Sequence, residues 1–568
     1  MISLQTIISR RLLFLSSLLC VLIHADALAQ KKALDTANKV PIHIVRMRVL
    51  SHVQTDTSSV DKLLDSVVLQ QGNDMMYCDS AYFYSEKNSL EAFGDVKIVQ
   101  PGGTEAESDY LKYTGNTKEA YMKGNVSLTD GKNKLWTEEL TYNVGTKVGI
   151  YTQGGTLQSD STTVSSNEGN YNVNTKDVRF TGDVFVTDPS YNVRSEDMLY
   201  NTETKLVTFY PPEVSVVTSD KSVFHTTGGT YDSKNEIAHF VNRSSALNED
   251  QYLEADTLNY NKLTGYGNAS GNVISIDTTQ HTTLYCGHSE YFAKGKILWA
   301  TIKPVLKQVN EKDSIFIRAD TFFSAPVPQK GDINPKEDSI KVVKSVTGKR
   351  KGKKGKTIIA SKQEESIASD TSSSADSSRP RYFIGYHHVL IFSDSLQGKC
   401  DSISYNQKDS VMKMMYDPIA WSRNSQITGD TIRLHMDSGK LKKLYVPNNA
   451  FVVSQSGPAK AQLFDQVQGK TLTANFVDNE IDNMLVKPNA ESIYYSKDDD
   501  SAYVGVEQAQ GEKMIVLFSG QAISKIKYDQ DVKVIMTPLE QADLPTMRLS
   551  RFRWLIDKRP KSREELFQ

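Results

Sequence analysis

The sequence predicts an all-β fold: an elongated antiparallel β-jelly-roll of bent-strand repeats, each about 30 residues long, interrupted by one disordered insertion. Three observations carry this expectation. An aromatic residue returns at a nearly fixed interval, at Tyr84, Tyr113, Tyr142, Tyr171, Tyr200, Tyr231, Tyr260, Tyr291 and Phe322, and such a period marks units that bury their apolar faces against their neighbours. Alternation within a unit has period two: Ala120, Met122, Gly124, Val126 and Leu128 share one face, as do Leu90, Ala92, Gly94, Val96 and Ile98, which is the pattern of strands with one apolar side. Finally, Gly94-Asp95-Val96, Gly124-Asn125-Val126, Gly182-Asp183-Val184 and Gly271-Asn272-Val273 repeat one tripeptide in mid-strand. Glycine weakens a strand interior, so its return predicts a bend or bulge that folds each strand over itself; a plain turn between two strands is the alternative.

The elements follow in chain order. Arg10 and Arg11 precede an apolar stretch from Leu12 to Ile23, and Ala27-Leu28-Ala29 has the small-x-small form of a signal-peptidase site, so residues 1–29 read as a cleavable export signal. The stretch falls short of the ~20 residues that span a bilayer. Residues 30–325 hold the repeats. In one unit, Asp109 to Tyr113 is a strand, Gly115 to Lys118 a turn, and Glu119 to Leu128 the returning strand. Residues 326–380 leave this grammar, with Pro326, Pro328 and Pro335, the basic cluster Gly348 to Lys356 and a Ser/Asp-rich run from Ser361 to Ser378, and read as a disordered linker or long loop. Residues 381–544 restate the strands in a second β-repeat region. Residues 545–568 form a basic-aromatic tail around Phe552 and Trp554, expected as an exposed end or as a dock for a partner or membrane surface.

The net charge of −2 over 568 residues argues against a general nucleic-acid binder. Beyond the signal, Cys78, Cys286 and Cys400 are an odd set without zinc spacing, read as small packing residues. His387-His388 and the scattered aspartates match no metal or nucleophile motif, and neither HExxH nor GxSxG occurs. The chain therefore reads as no enzyme, with no cofactor. A parallel β-helix polysaccharide enzyme needs no linear motif and is the enzyme alternative, but Asn/Gly-Thr-Lys turns that join strands directly favour antiparallel hairpins.

Tyr77-Cys78-Asp79-Ser80-Ala81-Tyr82-Phe83-Tyr84, then Asn88 to Val96, then Asp109 to Tyr113, closely resemble the OstA-like (organic-solvent-tolerance) proteins of Bacteroidetes, within the superfamily of periplasmic bridges for lipopolysaccharide transport. The resemblance runs from about Met75 to Pro326 and more loosely from Tyr382 to Leu544. It departs where Asp65-Ser66-Val67-Val68 replaces Gly-Asn-Val, which suggests a degenerate first repeat. It implies a jelly-roll groove that carries lipopolysaccharide through its lipid A acyl chains towards the outer membrane, with other lipopolysaccharide-transport proteins at both membranes as partners. On that reading Leu111, Tyr113, Val126, Leu128, Leu140, Tyr142, Val184, Val186, Leu258 and Tyr260 line an apolar trough; closed core has the same alternation. A β-repeat scaffold or adhesin without lipid is the other alternative. Unpaired terminal strands would favour end-to-end self-association.

Overall fold

The computed structural model describes residues 40–54, 59–218, 221–309, 314–328, 379–437, 440–477, 480–519 and 522–568. The export signal and most of the basic insertion lie outside them. The described residues form strands and short 3-10 turns, with no α-helix among them, and no helix is long and apolar enough to cross a membrane. The strand pairs are antiparallel throughout, as at Glu119–Thr129 with Asn133–Asn143 and Tyr266–Asp277 with Thr282–Phe292, so the rungs of a parallel β-helix are not what these turns build. The chain divides into two units, residues 1–234 and 235–568.

In the first unit the mid-strand glycines are bends. Register shifts fall between Phe93 and Val96, Lys123 and Val126, and Thr181 and Val184, where two successive residues take positive φ, as at Gly124 (79°) and Asn125 (48°). A Cβ on Gly124 would stand 2.6 Å from Asp109 Oδ2, so glycine answers both the left-handed backbone and the close approach. Asn125 Nδ2 then donates to Asp109 Oδ2 at 2.8 Å, tying the bend to the strand before it. Asp65 and Ser66 make the same bend without glycine (φ 69° and 57°, register shift between Leu64 and Val67), so the first repeat keeps the geometry that its sequence lacks. Each bent strand contributes its two halves to two facing layers, and the strand ends form two lips.

The inward face of this unit is filled. One cross-strand row reads Leu128, Leu135, Leu157, Val164, Val186, Val193 and Val216, every side chain buried and each contributing roughly 1.5–3 kcal/mol. The aromatic ladder lies at the lip end of the opposite layer: Tyr113, Tyr142, Tyr171 and Tyr200 are buried. Its first rung differs from the sequence expectation. The register pairs Phe83 with Leu90 and Tyr84 with Ser89; Phe83 is buried with Leu90 on the inner face and Tyr84 points outward, because the Asp79-to-Phe83 segment matches Asp109-to-Tyr113.

The second unit repeats the plan. Bends fall at Asn242-Arg243, Gly271-Asn272, Ile302-Lys303, His387-His388 and Tyr416-Asp417, all at positive φ. On either side of the insertion, whose residues 329–378 lie outside the described residues, Thr321–Pro326 pairs with Arg381–Phe392 as far as Pro326 opposite Arg381, and Val327 N–H donates to Pro380 O at 2.8 Å. The strands on either side of it are consecutive in one ladder. Cys78, Cys286 and Cys400 are free and buried, and burial pushes each thiol up to about 12, which fits packing and leaves little thiolate.

The C-terminal segment is neither an exposed end nor a free dock. It runs back across the outer face of one layer of its own unit. Leu544, Met547 and Leu549 pack on Leu463, Ile493, Tyr495 and Val506; Phe552 and Trp554 pack on Phe451, Val453 and Phe464; Leu566, fully buried, packs on Val305 and Phe316. Two buried glutamines read its backbone in the same way. Gln466 donates to Met547 O (3.0 Å) and accepts from Leu549 N–H (2.8 Å); Gln426 donates to Arg553 O (2.7 Å) and accepts from Leu555 N–H (2.7 Å). Farther along, Arg559 donates to Gln397 Oε1 (2.8 Å) and Arg423 O (2.6 Å). The glutamines satisfy polar groups that the apolar contacts desolvate.

Candidate functional site: the inner face and its lips

In the first unit the lips are locked together. Tyr113 Oη donates to Gln71 Oε1 and Tyr142 Oη to Gln100 Oε1, each across 42 residues, and Tyr171 Oη donates to Asp130 Oδ2 at 2.9 Å. Turn lysines make the same crossing one position farther out. Lys147 Nζ donates to Pro101 O (3.3 Å), Lys176 Nζ to Asp130 Oδ2 (2.7 Å) and Lys205 Nζ to Ser159 Oγ (2.9 Å), each over 46 residues. Burial, the largest single influence on the Asp130 carboxyl, pushes it up, but bonds from Lys176, the Asn133 and Lys132 backbone and the Asn133 side chain outweigh it and hold the group well below the carboxylate range. The Tyr113, Tyr142 and Tyr171 phenols are pushed far up, mainly by burial, so they act as hydrogen-bond donors.

In the second unit the same inward positions are more open. The lip-side row across its first strands reads Ala238, Tyr260, Gly267, Tyr291, Leu298, Ser324 and Phe383. Tyr260 is 38% and Tyr291 39% exposed, and Leu298 and Phe383 are half-buried. The facing layer carries Ala246, Leu253, Ser275, Leu284 and Leu306, of which Ala246, Leu253 and Leu306 are half-buried. Where the first unit has Leu128 opposite Leu135, this unit has Ala246 opposite Leu253 and then Ser275. The smaller side chains go with fuller exposure of both rows. The lip lock also changes, since Lys262 Nζ pairs with Glu236 at 3.0 Å on its own lip. Gln407 Nε2 reaches Gln280 Oε1 at 2.7 Å, a crossing between side chains that lie at the surface.

At this mouth Arg381 has the inward phase of Phe383 and Gly385. Its Nη2 donates to Lys296 O at 2.9 Å and its Nε to Ser324 Oγ at 3.2 Å. Burial lowers its pKa, with Tyr291 and Asp277 acting on it in the opposite direction. Among the described residues no group of His, Cys, Asp and Glu has the geometry to hold a metal ion.

Of the ten residues expected to line a trough, Leu111, Tyr113, Val126, Leu128, Leu140, Tyr142, Val184 and Val186 lie in the filled interior of the first unit, Leu258 is buried deeper in the second, and Tyr260 lies at the open lip. Tyr291, Leu253, Leu298 and Arg381 were not among them. Period-two phase from Ser289 would have found Tyr291; Leu253 lies beyond a phase change in its strand between Ala255 and Leu258, Leu298 lies on the following strand, and Arg381 sits beside the insertion, where the repeat grammar gave no phase. His387 and His388 fall at a bend on the outside, with Nδ1 atoms 3.2 Å from Asp401 Oδ1 and 2.7 Å from Asp320 Oδ2, in the place that Asn125 and Asp109 hold elsewhere.

Residues 39–196 match the family model of the OstA-like protein, a match that starts before the segment whose resemblance is plainest by eye and ends before the open stretch. No curated protein matches the sequence. Among solved structures, LptH, described as the LptA-homologous periplasmic component of the conserved lipopolysaccharide transport device from Pseudomonas aeruginosa, aligns with 25% of this chain and 95% of its own at 15% identity, with a TM-score of 0.19.

Proposed function

We propose that this chain, OstA-like over residues 39–196, is a periplasmic bridge that carries lipopolysaccharide towards the outer membrane with its acyl chains against the inner faces of bent strands. The observation that carries this reading is the half-exposed apolar row of the second unit, where Tyr260, Tyr291, Leu298 and Leu253 face inward yet remain accessible. Burying acyl carbons there gains ~0.8 kcal/mol per CH₂, so about a dozen carbons gain on the order of 10 kcal/mol. A uniform apolar row lets a chain slide with little net change per step, and the direction of travel comes from partners at the two membranes. In the first unit, entry of lipid between Leu111, Leu128 and Leu140 requires the tyrosine and lysine lock to part.

Photocrosslinking to lipopolysaccharide in cells tests the reading, with single probes at Tyr260, Tyr291 and Leu298, at Leu111 and Tyr142, and at the outward control Lys147. Adducts at the first group and none at Lys147 are expected. Adducts at Leu111 and Tyr142 as well would extend the path through the first unit. Absence of adducts at every position in a folded, exported protein would sink the proposal.

A further inference from the structure

We propose that Arg381 is an anion-recognition residue, placed at the mouth of the second unit's open stretch to hold the phosphate of an amphiphile whose chains lie along Tyr260, Tyr291 and Leu298. The inference rests on the groove reading above and adds a specificity element to it. Register fixes the placement. Arg381 shares the inward phase of Phe383, which pairs with Ser324, and Ser324 pairs with Leu298, so the guanidinium enters the groove one step outside the Leu298 and Phe383 row. Tyr291 and Asp277 are its titratable neighbours.

The chemistry of its partners completes the argument. The Lys296 carbonyl and the Ser324 hydroxyl, both neutral, take two of its donors. Asp277, on the facing lip, acts on it through space and is not within ion-pair distance. A half-buried guanidinium given only neutral acceptors is short of the counter-charge that normally accompanies burial, and its planar fork suits a phosphate or carboxylate taken two donors at a time. The two bonds present point the fork rather than neutralise it. Half-exposed Tyr291 beside it, and Tyr260 two strands farther along the same row, give a ligand an apolar path on the inner side and a polar rim on the outer, which is the profile of an acyl chain ending in an anionic headgroup. Elsewhere along the lips Lys176, Lys205 and Lys262 have carboxylate partners in Asp130, Asp160 and Glu236, whereas Lys147 donates to the Pro101 carbonyl.

Calorimetric titration of the mature full-length protein with dodecyl phosphate and with dodecyl glucoside, both below their micellar concentrations, measures the preference for the anionic head. The wild type should prefer the phosphate by about tenfold or more, the order expected of a charge-assisted contact. Arg381→Gln, which removes the charge and keeps an amide donor for Ser324 Oγ, should abolish that preference while leaving glucoside affinity unchanged, and Arg381→Lys should restore part of it. An equal fall for both ligands in Arg381→Gln would make the residue structural and overturn the assignment. Equal affinity of the wild type for both would overturn it and leave the groove intact, whereas binding of neither would overturn the groove reading and this one together. Titration with inorganic phosphate separates the two sources of the anion: binding to the wild type with no preference between the amphiphiles would mean a free-phosphate site and overturn the headgroup assignment.

Discussion

The two units use one repeat, and the first strands of the second close it less fully. In the first, large aliphatic side chains fill the space between the layers, and tyrosine and lysine side chains lock the lips from within. In the second, the openness is confined to the first strands, where Tyr260 and Tyr291 are left accessible; farther along the interior fills again with Ile391, Ile403, Met414, Ile432 and Leu434, and the C-terminal segment straps the outer face of that part. The difference teaches that one bent-strand repeat accepts both a filled interior and an accessible one. A filled core and an open groove compete for the same inward side chains, whereas the outward faces are free to take a cover.

Removing residues 544–568 is the strongest way to break this comparison. It uncovers Phe451, Phe464, Ile493, Val506 and Phe316 and deletes Leu566; at roughly 1.5–3 kcal/mol per buried side chain, the expected loss exceeds about 5 kcal/mol. Hydrogen exchange should show faster opening of the strands from Ile419–Ser422 to Tyr503–Gly511 with no change in Asn133–Asn143. Unchanged exchange in the second unit would mean that the strap is dispensable.

Truncation in the interior sharpens the contrast. Leu135→Ala, in the filled row, should cost about 2–5 kcal/mol in denaturant unfolding, and Leu253→Ala, half-buried in the open one, less than about 1.5 kcal/mol. Equal costs would show that both interiors are equally packed. Removing one hydroxyl probes the lock more gently. Tyr142→Phe leaves Gln100 Oε1 buried without its donor, for about 1–3 kcal/mol, while Tyr291→Phe should stay within about 0.5 kcal/mol; the reverse order would place the lock in the second unit.

Acid is the mildest of these probes. The Asp130 carboxyl is held below its unfolded value, so its contribution is fully present above the ordinary carboxylate pKa and is lost as pH falls through the folded one. With Lys176 partly exposed the effect should be on the order of 1 kcal/mol. Asp130→Asn should flatten the first unit's stability below about pH 4, and an unaltered acid limb would remove Asp130 from the lock.

Much of the fold was legible in the chain. Period-two alternation set the inward face, the glycine tripeptides marked four bends, and the Asn-Thr-Lys turns gave antiparallel pairing, because strand pleat and left-handed backbone are local properties written at short range. The bends at Asp65-Ser66, Asn242-Arg243 and His387-His388 escaped a motif reading, although each lies close to one repeat length from a neighbouring bend where the chain is uninterrupted; polar residues with a nearby hydrogen-bond partner tolerate the left-handed region where only glycine was sought. The first aromatic rung was misplaced by one residue, from Phe83 to Tyr84, and in a strand one residue reverses the face.

What the sequence alone determined is therefore the all-β class, the repeat length, the face on which each alternating residue lies and the packing role of the cysteines. Tertiary structure alone decided whether that face is filled or accessible, because the answer depends on side-chain volumes in the opposite layer, brought together by pairing between distant strands. It also decided where the tail goes and what surrounds Arg381. Leu128 and Leu253 are the same residue in the same alternation, each with a small neighbour on an adjoining strand (Ala106 beside one, Ala246 and Ser275 beside the other), yet one is fully buried and the other half-buried.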